Sequence, residues 1–306
     1  MQPLRGITLK IVSVFIFVTM QSLIKASSGH VPPGEAVFFR SAFAIPVIVT
    51  WLLLRGEIRR GWRTSNPLGH VWRALVGTTS MGLGFAGLGL LPLPEVTAIG
   101  YASPLLVVIL AAMFLNEKVR AFRLSAVAMG LVGVMIVLTP RFSITAGPIG
   151  VEEKLGAIVV LTSALFGALA QVFVRKLVVT ESTAAIVFWF SVNAALLSLL
   201  TLFWGWVWPT PAEATMLVLA GLCGGLGQAL LTSSYRLADA SVIAPFEYTS
   251  MLLAIGSGFF VFNEVPTPSM LSGAAIIIAA GVLIIWRERQ LGLERTRQRK
   301  AMTPAG

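Results

Sequence analysis

Three properties of the 306-residue sequence predict an all-α, polytopic membrane protein with ten transmembrane helices. Apolar residues make up 56% of the chain and charged residues 12%, against roughly 45–50% and 25% in soluble domains. The mean hydropathy of +0.86 is spread along the whole chain rather than concentrated in one anchor. Apolar runs of about 20 residues, the length that crosses hydrocarbon, recur ten times and are continuous rather than alternating, which selects helices over a barrel.

Breaking the chain at charged and Pro/Gly clusters places the spans at about 7–24, 35–54, 71–90, 94–115, 122–139, 156–174, 183–206, 213–236, 240–262 and 269–286. The first resembles a signal peptide, with Arg5 and Lys10 ahead of an apolar stretch and Ala26-Ser27-Ser28 behind it. It is nevertheless expected to stay, because the internal repeat described below needs it. The long connections, about 55–70 and 140–155, leave no room for a domain outside the membrane. A single cysteine, Cys223, and two histidines, His30 and His70, exclude a disulfide scaffold and a histidine-rich zinc centre. No metal or cofactor is expected.

If the spans alternate in direction, nineteen of the 23 lysines and arginines fall on one side of the membrane. Three (Lys25, Arg141 and Lys154) fall on the other, and Arg40 lies within a span. Positive residues are retained in the cytoplasm, so both termini are expected there. The net charge of +10 then reflects topology, with the basic tail against anionic headgroups, rather than nucleic-acid binding. Trp51, Trp62, Trp72 and Trp286 near cytoplasmic ends and Trp204, Trp206 and Trp208 near an outer end fit interfacial belts.

The sequence also matches itself. A shift of 147 residues pairs Gly77 with Gly224, Tyr101 with Tyr248, Ser103 with Ser250 and Asn116-Glu117 with Asn263-Glu264. A shift of 150 pairs Gln21 with Gln171, Lys25 with Arg175, Phe38 with Phe188 and Ser41 with Ser191. Two five-span units are expected, residues 1–143 and 144–286, followed by a basic cytoplasmic tail at 287–306. Five crossings is an odd number, so the second unit enters the membrane from the opposite face. Such inverted repeats build secondary transporters with a mid-membrane site between the halves.

Motifs for ATP hydrolysis, zinc peptidase and serine hydrolase chemistry are absent. The glycine-rich runs Gly82–Gly89 and Gly221–Gly227 lie within spans and read as close helix packing. Among the carboxylates, Glu35, Glu95 and Glu181 open spans, where the helix dipole favours them, and Glu247 alone is clearly internal. Arg40 is the internal cation. Charges at such depth mark a pathway, although snorkelling or a structural clamp serves an arginine equally well. Pro104 and Pro245 free backbone carbonyls beside Tyr101, Ser103 and Glu247, as tolerated where backbone lines a cavity. The expected binding residues are Tyr101, Ser103, Thr78, Thr79, Ser80, Gln228, Glu247, Tyr248, Ser250 and Arg40. Gln21, Gln171, Pro104 and Pro245 are expected in gating or packing. Neutral hydrogen-bonding groups with aromatics suit a small amphiphilic solute better than a bare ion.

The five-plus-five repeat, Phe38-Phe39-Arg40 in the second span, and Ala102-Ser103-Pro104-Leu105-Leu106 leading to Phe114-Leu115-Asn116-Glu117 resemble the EamA-type drug/metabolite transporter superfamily. The likeness extends over nearly the whole chain, and the aromatic amino-acid exporter branch is similar. Met251 stands where the first half has Pro104, a departure for which Pro245 compensates. The resemblance implies an exporter of neutral or aromatic amino acids or similar metabolites in a bacterial inner membrane. Alternating access is expected from the two opposed halves, and with Glu247 the one deep carboxylate, tight proton coupling is not expected. Efflux or uptake of cationic drugs, with Glu247 and aromatics as recognition elements, is the second reading. A membrane-embedded enzyme acting on lipid-linked substrates is the third.

Overall fold

The computed structural model describes residues 3–115, 121–142, 150–237 and 240–302. Every regular element among them is helical. The first five expected spans become α1 (Pro3–Ser27), the pair α2 (Pro33–Ala42) and α3 (Ala44–Leu54), α5 (Pro67–Leu90), the pair α6 (Leu93–Gly100) and α7 (Ala102–Leu115), and α8 (Ala121–Phe142). A short helix, α4 (Ile58–Trp62), lies in the connection after α3. The next five are α9 (Gly150–Leu177), α10 (Thr183–Ser198), α11 (Pro211–Leu237), the broken segment α12 (Ala240–Ile243) and α13 (Thr249–Phe262), and α14 (Pro268–Met302). Nine stretches among the described residues are long and apolar enough to cross a bilayer. The tenth span is α5, 24 residues long, whose Arg73, Thr78, Thr79, Ser80 and glycines lower its hydropathy.

The breaks have local causes. Proline lacks the N–H that would bond the carbonyl four residues earlier, and its ring crowds that carbonyl. Pro46 therefore unseats the carbonyl of Ala42, and the second span bends at Phe43. Pro104 does the same to Gly100, and the fourth span breaks at Tyr101. In the ninth span Pro245 tightens Ala244–Tyr248 into a 3-10 turn between α12 and α13. A second 3-10 turn, Leu199–Trp204, ends the seventh span. The last expected span does not stop at 286: α14 runs on through the basic tail to Met302.

Packing follows the repeat. Helix α1 lies along α11, and its repeat counterpart α9 lies along α5, the counterpart of α11. Helices α8 and α14 pack on each other, as do α2 and α10. Exchanging the halves thus maps this set of contacts onto itself. The α8–α14 crossing is close enough that a side chain at Gly133 would meet the Gly273 carbonyl at 2.8 Å, and one at Gly273 the Gly133 carbonyl at 2.6 Å. Small residues let helices approach without hydrophobic drive from lipid. The Gly221–Gly227 run serves the same end, with Gly221 and Gly225 against the Phe39 and Ala44 carbonyls of α2 and α3.

Charged side chains tie the helix ends. At one face the Lys25 ammonium donates to the Leu88 and Leu91 carbonyls at 2.9 and 2.7 Å and pairs with Glu264 at 2.8 Å. Glu264 also accepts the Leu93 N–H at 2.8 Å, so the ends of α1, α5, α6 and α13 meet at one lysine. Asn116 and Glu117, the repeat partners of Asn263 and Glu264, lie outside the described residues. At the other face the buried Glu181 carboxylate accepts hydrogen bonds from the Thr64 hydroxyl, the Ser65 N–H and hydroxyl, and the Asn66 N–H, all within 2.7–2.9 Å. Asn66 in turn caps α5 by accepting the Gly69 N–H. Glu181 therefore serves the start of α5 as well as the span it precedes.

Burial alone would raise the Glu181 carboxyl above its ordinary pKa, but the hydrogen bonds from Thr64, Ser65 and Asn66 outweigh it and hold the group below that value. A depressed folded-state pKa contributes stability that is complete above the ordinary carboxylate range near 4.5 and is lost as pH falls through the lower folded value. Thermal unfolding of detergent-purified protein across pH 3–7 should accordingly show a stability loss below about pH 4.5 that Glu181→Gln largely removes. A variant with the parent's acid limb would reject this role for Glu181.

Candidate functional site

The broken fourth and ninth spans bring Tyr101 and the Glu247–Ser250 turn together. The Tyr101 hydroxyl lies 2.5 Å from the Ser250 hydroxyl, which donates to the Glu247 carbonyl at 2.7 Å. The Tyr101 and Tyr248 rings meet edge to face at 5.1 Å and 71°, a favoured aromatic arrangement. Residues paired by the sequence repeat are thus neighbours in space. In the 3-10 turn the Glu247 carbonyl accepts both the Thr249 N–H and the Ser250 hydroxyl, so the irregular backbone inside the span is satisfied locally.

The junction lines one of two cavities that the α5–α9 pair borders. One, of about 340 Å³, is walled by Gln21, Ser80, Tyr101, Ser103, Ser163, Glu247 and Ser250 among apolar residues. The other, of about 510 Å³, holds Arg40, Arg73, Gln171, Ser191, Gln228 and Tyr235. They follow one another along the paired helices α5 and α9. On α5 the second cavity takes Arg73 and the first takes Ser80 to Leu88; on α9 the first takes Val160 to Gly167 and the second takes Gln171 and Val174. Reciprocal bonds clasp the two helices, the Ser80 hydroxyl donating to the Ser163 carbonyl at 2.8 Å and the Ser163 hydroxyl to the Ser80 carbonyl at 2.7 Å.

The residues singled out in the sequence therefore divide. Ser80, Tyr101, Ser103, Glu247, Ser250 and Gln21 line the smaller cavity; Arg40, Gln228 and Gln171 line the larger. Tyr248 stands behind the smaller cavity's wall, its hydroxyl filling the space that a side chain at Gly281 would occupy. Thr79 is exposed and bonds the Leu75 carbonyl of its own helix at 2.8 Å, the usual fate of a helical threonine. Thr78 has a buried hydroxyl with no hydrogen-bond partner among the described residues and lines neither of the two cavities. Pro104 and Pro245 act through the breaks they cause.

Charge is arranged otherwise than the linear pattern suggests. Arg40 and Glu247 do not meet: Glu247 pairs with Lys10, and Arg40 faces the other cavity. Lys10 reads in the sequence as a flanking cytoplasmic charge, but α1 begins at Pro3, so Lys10 lies two turns inside the helix and only 1% exposed. Its ammonium also lies 5.9 Å from the Tyr235 ring centroid, placing it between the two cavities. Arg73 likewise reads as a flank; α5 starts at Pro67 and carries it inward, where its guanidinium stacks 3.5 Å from the Phe190 ring centroid. The overlooked signal was the pair of prolines, Pro3 and Pro67, that suit a first helical turn and lengthen each helix by a turn. Nothing local to Lys10 or Glu247 announces a partner 237 residues away.

The Lys10–Glu247 pair is asymmetric, because the lysine side chain is 2% exposed and the glutamate 49% exposed to the cavity. Removing one member of a buried pair leaves the other charge uncompensated, at about 3–5 kcal/mol when both are dry. Glu247→Gln should therefore destabilise the protein strongly, by some fraction of that range, since it strands the buried ammonium. Lys10→Met, which strands only a hydrated carboxylate, should cost less, and Lys10→Met combined with Glu247→Gln should recover stability over Glu247→Gln alone. Melting temperatures of the three variants in detergent check this order; equal losses in both single variants would reject it.

Comparison with known proteins agrees with this architecture. The S-adenosylmethionine uptake transporter of Rickettsia bellii is 30% identical over 256 residues, covering 84% of each chain. The pseudopaline exporter CntI of Pseudomonas aeruginosa is 28% identical over 91% of this chain and 95% of its own. The riboflavin transporter of Rhizobium johnstonii is 28% identical over 84% of this chain and 82% of its own. A crystal structure sharing 22% identity superimposes with a TM-score of 0.64 over 91% of this chain and 96% of the other, a likeness of fold alone. The model of the EamA-like transporter family matches residues 4–139 and again 154–286, and with nearly every spanning residue inside those two matches, this multi-pass membrane protein belongs to that bacterial transporter family.

Proposed function

We propose that this protein is a secondary transporter that exports small zwitterionic metabolites, neutral or aromatic amino acids foremost, across the bacterial inner membrane by alternating access. The observation that carries the reading is the pair of polar cavities following one another along the α5–α9 seam, inside a bundle whose packing is preserved when its halves are exchanged. In this reading residues 1–143 and 144–286 rock against each other, and both termini face the cytoplasm, as the lysine and arginine distribution favours. Ser80, Tyr101, Ser103, Ser250, Gln228 and the glutamines Gln21 and Gln171 supply neutral hydrogen bonds to the solute.

Two further observations shape the proposal. Glu247, the internal carboxylate, is paired with Lys10, and in this reading transport runs down the solute gradient. A cationic drug would meet Arg40 and Arg73 in the larger cavity and a carboxylate already paired in the smaller, which favours a zwitterion over a cation. Relatives named for S-adenosylmethionine, pseudopaline and riboflavin include both an importer and an exporter, so the direction of net flux in this reading follows the gradient.

Proteoliposomes containing only this protein, given a panel of labelled amino acids and quaternary ammonium compounds, should show saturable amino-acid flux that an imposed pH gradient changes by less than about twofold. Strong proton-driven accumulation, or flux of the cations alone, would overturn the proposal.

Alternating access also needs gates. In this reading the Lys25–Glu264 pair, which ties the ends of α1, α5, α6 and α13, acts as a latch at one face. Just inside the latch, the Ser22 and Ser257 hydroxyls bond at 2.7 Å. With Cys223 replaced by serine and a cysteine introduced at Ser257, Lys25→Ala should raise labelling by a membrane-impermeant maleimide several-fold from the outer side. Unchanged labelling would remove the latch from gating.

A further inference from the structure

The larger cavity poses an electrostatic problem that the protein does not solve with its own residues. Arg40 is 8% exposed and its Nε is buried without a hydrogen-bond partner; Nε and Nη1 of Arg73 are buried and equally unpartnered. Neither arginine is paired with a carboxylate among the described residues. The two like charges face one cavity and repel each other. Elsewhere in this protein internal cations are matched, Lys10 by Glu247 and Lys25 by Glu264. Glu181, which approaches His70 at the same end of α5, is occupied by Thr64, Ser65 and Asn66.

The site is nonetheless built. The Arg73 guanidinium lies over Phe190, its central carbon 3.5 Å from the ring centroid, so the ring supports the cation without supplying an acceptor for its N–H donors. Two glycines paired by the repeat make room for the two arginines. A side chain at Gly77 would come within 2.9 Å of the Phe190 ring and 3.3 Å of Arg73 Nη1, and one at Gly224 within 3.0 Å of Arg40 Nε. The repeat is broken at this spot: Phe190 stands where a shift of 150 puts the counterpart of Arg40, and Ala220 where a shift of 147 puts that of Arg73. Two arginines, a supporting ring and two clearing glycines therefore converge from α2, α5, α10 and α11.

The geometry points to an anion-binding subsite between Arg40 and Arg73 that takes the carboxylate, or a comparable oxyanion, of the transported solute. This rests on the transporter reading and deepens it by naming the charge the solute must carry at one end. A guanidinium binds an oxyanion through paired, charge-assisted N–H donors, and an anion between the two arginines offsets their mutual repulsion. The neutral side chains of Gln171 and Gln228 on the same cavity wall complete a surface for the rest of the solute. A phospholipid headgroup presents the same oxyanion chemistry, and the test separates the two sources.

The full chain, purified in uncharged detergent without anionic lipid, is titrated at constant ionic strength with acetate, benzoate, benzamide and inorganic phosphate, against chloride. Its melting temperature should rise saturably with at least one of the oxyanions and not with benzamide. Arg73→Gln should raise the half-saturating concentration about tenfold or more and raise the melting temperature of the anion-free protein, because a repelling charge is gone. Arg40→Gln should weaken the response likewise, and Arg73→Lys should retain part of it. The absence of any saturable oxyanion response in the parent overturns the proposal whether or not the variants fold, as does an unchanged response in both glutamine variants. A response confined to added phosphatidylglycerol assigns the arginines to lipid and also overturns it. Binding is read without flux, so an oxyanion response in a protein that moves no solute rejects the transporter reading alone, and flux without the response rejects the subsite alone.

Discussion

Hydrocarbon provides neither hydrogen bonds nor counter-ions, and every feature of this protein follows from that deficit. A backbone that crosses it must satisfy its own polar groups, so the described residues form helices and nothing else regular. Where proline frees a carbonyl, as Pro104 and Pro245 do, the break lies in the protein interior beside Tyr101 and Ser250 rather than against lipid. A charge that enters must find an opposite charge, and Lys10 and Lys25 do so through Glu247 and Glu264. Arg40 and Arg73 stand out because they obey the rule only if something else enters the cavity with them.

The internal repeat supplies a second constraint, and its symmetry is kept where packing matters and broken where chemistry does. Helix pairs α1–α11 and α5–α9 are interchangeable under exchange of the halves. The paired residues Tyr101 and Tyr248 touch, and so do Tyr101 and Ser250. The two cavities, by contrast, differ in charge: one carries an internal ion pair and serines, the other two arginines. A transporter with identical halves would offer one solute end the same surface as the other. In the proposed reading this chain offers each end a different surface, which would orient a solute with distinct ends.

Membership of the EamA-like family fixes the scaffold more firmly than the cargo. Relatives at 28–30% identity are named for S-adenosylmethionine, pseudopaline and riboflavin, solutes of unlike size and charge. Function of this kind resides in the few side chains that line the cavities and not in the fold that positions them. The cavity linings of this chain, and so the proposed site, include Arg40, Arg73, Gln171 and Gln228 on one side, and Ser80, Tyr101, Glu247 and Ser250 on the other.

Much of the architecture was legible in the linear chain. Ten apolar runs, the shifts of 147 and 150, and the skewed lysines and arginines give span number, internal duplication and expected orientation, because hydrophobic length and local proline chemistry act over a few neighbouring residues. The same local signals located the breaks near Tyr101 and Glu247 and the cavity residues Ser80, Ser103, Gln228 and Ser250. They could not show that Glu247 belongs to Lys10 instead of Arg40, that Arg73 turns inward onto Phe190, or that Thr79 faces outward. Those outcomes depend on which helices touch and on the rotation of each about its axis. That choice is made by the summed packing of all ten spans, since in lipid an apolar face has no intrinsic reason to prefer one neighbour over another.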